Sequence, residues 1–456
     1  MNTYMEKPRE IPVHAEVDVL VAGSGPAGLS AAIASARAGA STMLIERYGF
    51  LGGTVTQCNM ESVGWYRHEL TVEAGGLLFE YEQRSKSMGG SAPETQSTSQ
   101  ALNTEVFKCL ADQMILEAKV RPLYHTFVVD SIVENGIIKG VVCESKQGRF
   151  AVFAKRIVDC TGDADVAARA GVPFDVSPIE TRSAVSPGFN VRGVDIKRFL
   201  KYVYEELRPS YRDWSKYSGH KIKNEAAASY FSPAIYEPFV KNAEEHFMEF
   251  DKAHRVNGGT FSTVTPEGEV TMLNMIHLKG FDVLKVEDLT KAEILARDYV
   301  LKVIKVLNRY LPGFESARLR NLYSSLGTRE SRLIHGKYKL KAQDILENAR
   351  FDDSIAACPQ FFDGMGFVSL PVEPDYFHMP YRALVPVNVD NLLVAGRCIS
   401  GEKDAHRSFR NCVFCVATGQ GAGTAAAISL QDGTTTANVD IKKVQEELLR
   451  QKVRVF

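Results

Sequence analysis

The sequence lacks an excess of charge of either sign and has little cysteine. Its 54 Lys and Arg residues are matched by 55 Asp and Glu, which gives a formal net charge of -1, and no basic block stands out. Because proteins that bind nucleic acid carry a basic patch, we expect no nucleic-acid partner. The 8 cysteines are not grouped as the ligands of an iron–sulfur cluster or a zinc ion. We therefore expect no metal site.

Long hydrophobic runs are also missing. No apolar run reaches the length that spans a membrane, so we expect no membrane insertion. The N-terminal residues MNTYMEKPREIPVHAE are polar and lack the apolar centre of a secretory signal. With no export signal, the cysteines are expected to be reduced thiols in a cytoplasmic protein. Hydrophobic residues make up 45% of the chain and charged residues 24%, as in an ordinary soluble globular protein.

The N-terminal region is typical of a βαβ unit. The apolar run VDVLVAG (17–23) predicts a buried parallel strand, LSAAIASARAGA (29–40) a helix, and STMLIER (41–47) a second buried strand. The unit has the usual length of about 30 residues. The glycine-rich turn GSGPAG (23–28) joins the first strand to the helix.

This turn is a dinucleotide-binding fingerprint. Gly23 permits the tight turn, Gly25 lets the backbone approach a pyrophosphate, and Gly28 lets the helix pack closely on the strand. The start of the helix then offers N–H groups and partial positive charge to the phosphates. Glu46, which is 18 residues after Gly28, is placed to accept hydrogen bonds from a ribose. The fingerprint alone does not separate NAD from FAD.

The following segments alternate between predicted helix and strand. Residues 104–119 have apolar residues at helical spacing, and three strand-like segments between 123 and 160, separated by short turns, predict a meander. The polar stretch 85–104 is interpreted as a surface loop that could close a site. Residues 183–320 have a different sequence pattern from the segments before and after them. They combine a predicted helix at 232–254 with a predicted strand and turn at 260–278.

Several motifs occur in the order of a known family. They are GSGPAG (23–28) with Glu46, FLGG (50–53), VDCTGDAD (158–165), LGTRESRLIHGKY (326–338), MPYRALVP (379–386), LLVAGRCIS (392–400) and ATGQGAGTAAA (417–427). On these residues the chain resembles the FAD-dependent oxidoreductases that share a fold with fumarate reductase flavoproteins and glutathione-reductase-like enzymes.

The resemblance implies an α/β fold. A Rossmann-like FAD-binding domain of the GR2 type would be built from residues 1–182 and 321–456. Residues 183–320 would form an inserted α+β substrate domain over the flavin.

The resemblance also implies that FAD is held in an extended pose along the glycine-rich turns, with the helix at 417–427 pointing its N-terminus at the flavin. The residues that it places at the cofactor are Gly23, Gly25, Pro26, Ala27, Gly28, Glu46, Arg47, Gly52, Gly53, Phe127, Val128, Thr161, Gly162, Gly396, Arg397, Gly419, Gln420 and Gly421.

The stretch AHRSFRNCVFCVATGQGAG (405–423) then faces the flavin. His406 is expected to act as the base or acid, because its ordinary pKa is about 6.5. Arg410 is expected to clamp a substrate anion with its bidentate fork. The alternative is that both belong to a solvated surface turn.

Arg329 is a third candidate for the substrate clamp. A purely structural role for Arg329, in an ion-pair network with Glu330 and Arg332, would explain the GTRESR pattern equally well. Cys412 and Cys415 form C-x-x-C, which we interpret as two packed thiols rather than a zinc site or a redox dithiol. A covalent link from Cys58 to the flavin is a further hypothesis.

We therefore predict an enzyme, a FAD-dependent oxidoreductase that transfers hydride between a small organic substrate and flavin N5. The favoured reaction is oxidation of a C–H bond next to O or N. One alternative is the reduction of an activated C=C bond, and another is an electron-transfer subunit that serves a partner protein. The substrate, the electron acceptor and the oligomeric state stay open.

Overall fold

The computed structural model describes residues 3–62, 72–93, 99–207, 255–260, 262–363, 368–369 and 375–456. The strands in these residues are β1 (Val13–Ala22), β2 (Thr42–Ile45), β3 (Ser91–Pro93), β4 (Gln100–Leu102), β5 (Arg121–Leu123), β6 (Phe127–Glu134), β7 (Ile137–Ser145), β8 (Gly148–Asp159), β9 (Phe174–Val176), β10 (Phe189–Arg192), β11 (Arg255–Thr260), β12 (Val270–His277), β13 (Arg318–Leu322), β14 (Arg332–Ile334), β15 (Ser354–Pro359), β16 (Phe362–Asp363), β17 (Val368–Ser369), β18 (Tyr376–Pro380) and β19 (Leu392–Val394).

The α-helices in the same residues are α1 (Pro26–Arg37), α2 (Thr54–Gln57), α3 (Gly76–Ser87), α4 (Thr104–Glu117), α5 (Asp165–Arg169), α6 (Ile196–Lys201), α7 (Val286–Tyr310), α8 (Ala342–Leu346), α9 (Lys403–Phe409), α10 (Cys412–Gln431) and α11 (Ile441–Arg450). A π-helix (Tyr202–Leu207) and short 3-10 helices (Tyr381–Leu384 and Thr436–Asn438) complete the helical segments.

The central sheet has the order β5-β2-β1-β8-β7-β6, and β19 also pairs with β8. Strands β5, β2, β1, β8 and β19 are parallel, whereas β7 and β6 continue from β8 as an antiparallel meander. This sheet confirms the α/β fold class and the meander that the sequence predicts. The apolar end of β1, Val19–Ala22, is fully buried because its neighbours cover both faces.

Two helices from opposite ends of the chain pack against each other beside this sheet. A Cβ atom on Gly419 would lie 2.0 Å from the Ala27 carbonyl oxygen, and one on Gly423 would lie 2.1 Å from that of Ala31. Glycine is therefore required where α10 crosses α1. Among the described residues, α10 alone is long and apolar enough to cross a membrane, but 94% of its apolar window is buried inside the protein. That burial is what a core helix requires.

A second, antiparallel sheet has the order β11-β12-β10-β13 and packs with α7 around its own apolar cluster, which includes Phe199 and Phe314. Strand β12 falls in the segment where the sequence predicts a strand, and the helix predicted at 232–254 lies outside the described residues. Strands β10, β11 and β12 and helix α7 lie within the proposed insertion, and β13 crosses its end at residue 320. The boundaries of the insertion stay a prediction.

The polar stretch 85–104 is not a loop throughout. Its first residues complete α3, and β3 pairs with β4 as a hairpin on either side of residues 94–98, which lie outside the described residues. The hairpin forms because Ala101 and Leu102, each 1% exposed, bury their side chains in the core. The predicted helix at 104–119 is confirmed as α4, where the Asn103 side chain accepts hydrogen bonds from the first turn.

Candidate cofactor and active site

The glycine turn after β1 joins three elements at van der Waals contact. A Cβ atom on Gly28 would lie 1.7 Å from the Gly23 carbonyl oxygen, and one on Gly23 would lie 2.6 Å from that of Cys160. Gly23 also has a φ of +89°, in the region that favours glycine. Pro26, which has no N–H group, begins α1. The other N–H groups of the first turn have no partner within the helix, because a helix start always leaves them unpaired. The turn therefore forms an anion cradle.

The second glycine pair lies directly against this cradle. A Cβ atom on Gly53 would lie 2.4 Å from the Gly25 Cα atom, and the Gly52 N–H donates to the Ser24 carbonyl oxygen at 3.0 Å. Both positions have positive φ, +107° at Gly52 and +50° at Gly53. The structure thus brings the glycines at 23–28 and 52–53 into one surface.

Glu46 lies beside the cradle, at the position where the sequence predicts the adenosine ribose. Its Oε2 accepts hydrogen bonds from the Ser24 N–H and hydroxyl, at 2.9 and 2.5 Å, and its Oε1 accepts from the Tyr48 N–H at 2.9 Å. The backbone of β6 begins beside it, because the Thr126 N–H donates to the Glu46 carbonyl oxygen. The carboxylate is 4% exposed and is held next to the phosphate turn, where a ribose would meet it.

The other residues predicted near the adenosine lie close by. Phe127 opens β6 and is 54% exposed, while Val128 is half-buried. Arg47 follows Glu46, and its guanidinium lies 4.8 Å from the centre of the Tyr48 ring.

A half-buried carboxylate that sequence reasoning missed, that of Asp163, organises the far side of the site. The Asp163 Oδ1 accepts from the Arg397 Nη2 at 2.6 Å and from the Ser331 hydroxyl at 2.6 Å. Burial alone would raise the pKa of Asp163, but Arg397 and the hydrogen bonds from Ser331 and Arg397 lower it overall. Arg397 also donates to the Thr328 hydroxyl at 2.8 Å. The sequence signal for this cluster is the second aspartate of VDCTGDAD (158–165), Asp163 itself. From the sequence, only Thr161 and Gly162 of that segment are predicted to lie at the cofactor.

Thr161, Gly162 and Gly396 line the same strand ends. Thr161 donates through its N–H and hydroxyl to Asp159. A Cβ atom on Gly162 would lie 3.3 Å from the Arg397 guanidinium, and one on Gly396 would lie 3.1 Å from the Ala27 Cβ. The structure therefore brings these predicted cofactor residues together at the start of α1.

The predicted start of the last core helix is wrong. Helix α10 begins at Cys412, so Gly419, Gln420 and Gly421 lie inside it and their N–H groups belong to its hydrogen-bond ladder. Gly419 packs on Ala27, and the Gln420 side chain accepts from the Leu77 N–H at 3.0 Å. These three residues serve helix packing rather than a helix N-terminus, because the apolar run before them continues the helix.

His406 also differs from its expected place. It lies in α9 and is 1% exposed, so it does not line a surface that a substrate could reach. Burial and the neighbouring Arg410 lower the pKa of its imidazole to about 3, although Glu330 and the Arg397 backbone favour the charged ring. His406 is therefore neutral at physiological pH and lies inside the protein.

The guanidinium of Arg329 bonds to residues in and near the second sheet. Its Nη1 donates to the Ala184 carbonyl oxygen at 2.9 Å and to the Ser186 hydroxyl at 2.5 Å, and its Nη2 donates to the Asn274 side chain at 3.3 Å. These bonds tie the GTRESR segment to the second sheet. They differ from the arrangement expected of a residue devoted to a substrate anion.

Two buried thiols lie among the arginines. Burial raises the pKa of Cys58 to about 11, against the opposing effects of the Thr54 hydroxyl, Arg397 and Arg329. Burial and the nearby Cys58 raise the pKa of Cys412 to about 12, against the opposing effect of Arg410.

Cys412 and Cys415 are 8% and 7% exposed, as packed thiols should be. Within the described residues, no group of three or more His, Cys, Asp or Glu side chains could hold a metal ion.

The arrangement fits FAD. The cradle at Gly23–Gly28 leaves room only for backbone and an approaching phosphate, α1 directs N–H groups at it, and Glu46 lies at the adjacent strand end. Arg397 pairs with Asp163 at 2.6 Å, and Arg47 also lowers the pKa of Asp163. These positions can hold the pyrophosphate and the adenosine ribose.

Two solved structures align with nearly the whole chain, but with low TM-scores and low sequence identity. A geranylgeranyl bacteriochlorophyll reductase-like protein from Thermoplasma acidophilum has a TM-score of 0.48 and 13% identity, over 96% of this chain and 84% of that chain. The flavin-dependent brominase Bmp2 has a TM-score of 0.46 and 14% identity, over 95% and 83%. At these values neither structure informs the activity.

Curated relatives match shorter parts. Thiamine thiazole synthase from Aeropyrum pernix is 33% identical over 131 residues, 28% of this chain and 44% of that protein. Sarcosine oxidase subunit alpha from a Corynebacterium species is 45% identical over 51 residues, 11% of this chain and 5% of that protein. The chain thus spans less than half the length of either relative. The model of the FAD dependent oxidoreductase family matches residues 18–448, and the chain belongs to that family, an enzyme family whose cofactor is FAD.

Proposed function

We propose that the protein oxidises a small organic acid at a C–H bond next to O or N. When bound, FAD supplies the two-electron redox chemistry. The residues of this chain then have to bind the acid, orient it and accept the proton that the oxidation releases.

The observation that carries this proposal is that three arginines act electrostatically on two buried thiols, Cys58 and Cys412. Arg397 and Arg329 both act on the pKa of Cys58, and Arg410 acts on that of Cys412. Arg397 is neutralised by Asp163, and Arg329 is committed to the second sheet. Arg410 follows the end of α9 and is half-buried. We assign it to the substrate carboxylate, because a guanidinium binds a carboxylate through two parallel hydrogen bonds.

The neutral state of His406 argues against this residue as the acid of the reverse reaction. Reduction of an activated C=C bond needs a group that donates a proton. An imidazole whose pKa lies at about 3 is not in its imidazolium form at neutral pH, and one of its ring nitrogens donates a hydrogen bond while the other accepts one. The role of His406 is therefore to hold or pass a proton within the protein.

The test is an anaerobic screen of the purified flavoprotein. Amino acids and 2-hydroxy acids are expected to bleach the flavin absorbance, whereas the matching amines and alcohols without a carboxylate are not. Arg410→Ala should weaken the apparent affinity for the active acid by about tenfold to a hundredfold, the value of a charged hydrogen bond, and leave the bound FAD unchanged.

Two other outcomes contradict the proposal. If only enoic acids react, by reoxidising the chemically reduced protein, the enzyme is a C=C reductase. If no small molecule changes the flavin but a protein does, the chain is an electron-transfer subunit. Glu402→Gln, an exposed change before α9, is the matched control for the Arg410 variant.

A further inference from the structure

Arg329 holds polar side chains of the second sheet in fixed orientations. Its Nη2 donates to the Asn274 Oδ1 at 3.3 Å, and its Nη1 donates to the Ser186 hydroxyl at 2.5 Å. The Ser186 hydroxyl in turn lies 3.1 Å from the His277 Nδ1. Asn274 and His277 both belong to β12. One guanidinium therefore organises two side chains of the same strand.

The donor chemistry of arginine decides which atom Asn274 presents. A guanidinium has N–H donors and no acceptor, so the atom of Asn274 that it bonds is the carbonyl oxygen. The amide nitrogen, with its two hydrogens, is then directed elsewhere. Among the described residues, Arg329 is the one hydrogen-bond partner of this side chain. Because Asn274 is half-buried, a small molecule can reach its N–H donor.

The same reasoning sets the tautomer of His277. Ser186 is 3% exposed, so its hydroxyl needs an acceptor for its own hydrogen while it accepts from Arg329. Within the described residues, the other partner of that hydroxyl is the His277 Nδ1. This nitrogen is therefore the acceptor, and the neutral ring carries its proton on Nε2. Strand β12 thus carries N–H donors at both positions.

The network borders the cofactor residues through the segment that contains its arginine. Thr328 accepts from the Arg397 Nη2 at 2.8 Å. A Cβ atom on Gly327 would lie 3.5 Å from the Cys58 Sγ. Cys58 ends α2, which starts at Gly53 and has only 4 residues, about 6 Å of helix. The donors of β12 are therefore joined to both the strand-end arginine and the second glycine turn of the cofactor site.

We propose that Asn274 is a specificity-determining residue that donates a hydrogen bond to the substrate oxygen at the reacting carbon, with Arg329 as its positioning residue. The inference rests on the proposed function and selects one of its two substrate classes, 2-hydroxy acids rather than amino acids. Their oxidation moves a hydride from the carbon to FAD and releases the hydroxyl proton to water. The C–OH group becomes a C=O group, and its oxygen accepts a hydrogen bond before and after the reaction.

An amino acid fits these donors poorly. Its ammonium group carries N–H donors and no acceptor, and so does the iminium group that forms when a neutral amine loses a hydride. Either group would meet the N–H donors of Asn274 and His277 and would lie near the positive charge of Arg329, which repels a cation. The site therefore selects against nitrogen at the reacting carbon.

The experiment compares acids that share a carbon skeleton. Lactate and alanine, and then phenyllactate and phenylalanine, are mixed anaerobically with the holoprotein, and the rate of flavin bleaching is measured against the concentration of each acid. The 2-hydroxy acid of each pair should react at least about tenfold faster, the equivalent of one misplaced hydrogen bond. Equal rates, or faster bleaching by the amino acids, overturn the proposal.

Asn274→Asp keeps the oxygen that Arg329 bonds and replaces the N–H donor by a second acceptor. It should slow the 2-hydroxy acids by about tenfold to a hundredfold and should not slow the amino acids. Asn321→Asp is the matched control, because the Asn321 Oδ1 also accepts from an arginine, Arg320, at 3.0 Å, and its rates should equal those of wild type. Unchanged rates in Asn274→Asp, or equal slowing of both classes, refute the assignment.

Binding of a 2-oxo acid gives a reading without turnover. Pyruvate is titrated into the oxidised holoprotein, and the change in flavin absorbance gives its dissociation constant. Asn274→Asp should weaken this binding by about tenfold or more, and Asn274→Ala serves the same purpose if the aspartate variant does not fold. Wild-type affinity in either variant, or no binding to wild type, refutes the role of Asn274. If pyruvate binds as expected but neither class of acid reacts, the proposed function fails and the oxygen site stands.

Discussion

The Arg397 Nη2 and the Asp163 Oδ1 lie 2.6 Å apart, although 234 residues separate them in the chain. Their side chains are 15% and 18% exposed, so the pair is largely removed from water. It joins the segment after β8 to the segment after β19, the two strands that lie side by side in the central sheet. The pair therefore fixes the strand ends where the cofactor residues meet.

Asp163→Ala should lower the free energy of unfolding by about 3 kcal/mol, because it leaves the buried Arg397 without its partner. Urea unfolding measures this loss. Asp165→Asn is the control, since its bond to Arg332 at 2.9 Å involves a carboxylate that is 31% exposed and contributes about 1 kcal/mol or less. Equal losses in the two variants would contradict the importance of burial here.

Gly53→Ala should abolish most FAD retention. Its Cβ would lie 2.4 Å from the Gly25 Cα, so the two glycine turns would have to separate at the phosphate cradle. Gly433→Ala is the control. The φ of Gly433 is similarly positive, but the space around this residue is open, so the substitution should cost only the backbone strain of about 1 kcal/mol. The ratio of bound flavin to protein after purification distinguishes them, and an unchanged ratio in Gly53→Ala would refute the contact.

Glu46→Ala should weaken FAD binding by about tenfold to a hundredfold, because charged hydrogen bonds contribute about 1.5–3 kcal/mol. Titration of the apoprotein with FAD, followed by flavin fluorescence, gives the dissociation constant. Ser24→Ala keeps the carboxylate and removes only one of its donors, so its effect should be smaller. Wild-type affinity in Glu46→Ala would remove Glu46 from the ribose site.

Glu61 should make the protein less stable as pH rises. Burial raises the pKa of this carboxyl from 4.5 to about 7, against the opposing hydrogen bonds from Thr271 and Thr104. Between these two values the folded protein binds more protons than the unfolded chain, so the free energy of unfolding falls with increasing pH.

Glu61→Gln should remove this pH dependence. Relative to wild type, it should gain up to about 3 kcal/mol between pH 5 and pH 8, the equivalent of the pKa shift. Urea unfolding at both pH values measures the gain. Glu105→Gln, whose carboxylate is 64% exposed, should show none, and a parallel response of both variants would contradict the assignment.

Thiol reagents at neutral pH should modify Cys109 first, since it is exposed while the other seven cysteines are buried. Burial raises the pKa of Cys58 to about 11, so little thiolate is present to react. Mass spectrometry of the labelled, digested protein ranks the sites. The same measurement on denatured protein should find free FAD, and flavin attached to the Cys58 peptide would overturn this.

The sequence predicts local features of the site well. The glycines at 23–28 and Glu46 belong to one βαβ unit, where strand ends and turns follow directly from the residue pattern. The meander at β6 to β8 is equally local, because short turns connect antiparallel strands.

Long-range relationships could not be predicted in the same way. Nothing in the spacing of VDCTGDAD indicates that Asp163 meets Arg397, and nothing near His406 indicates that it is buried. The start of α10 was misplaced because its glycines are typical of a turn. Their actual role, contact with Ala27 and Ala31, depends on a helix almost 400 residues earlier.

The packing of α10 on α1 also sets an order of events during synthesis. Helix α1 leaves the ribosome early, yet the surface formed by Ala27 and Ala31 is covered only by Gly419 and Gly423 near the end of the chain. Contacts of such high sequence separation form late and slowly. The face of α1 formed by Ala27 and Ala31 therefore gains its α10 partner only when translation is nearly complete.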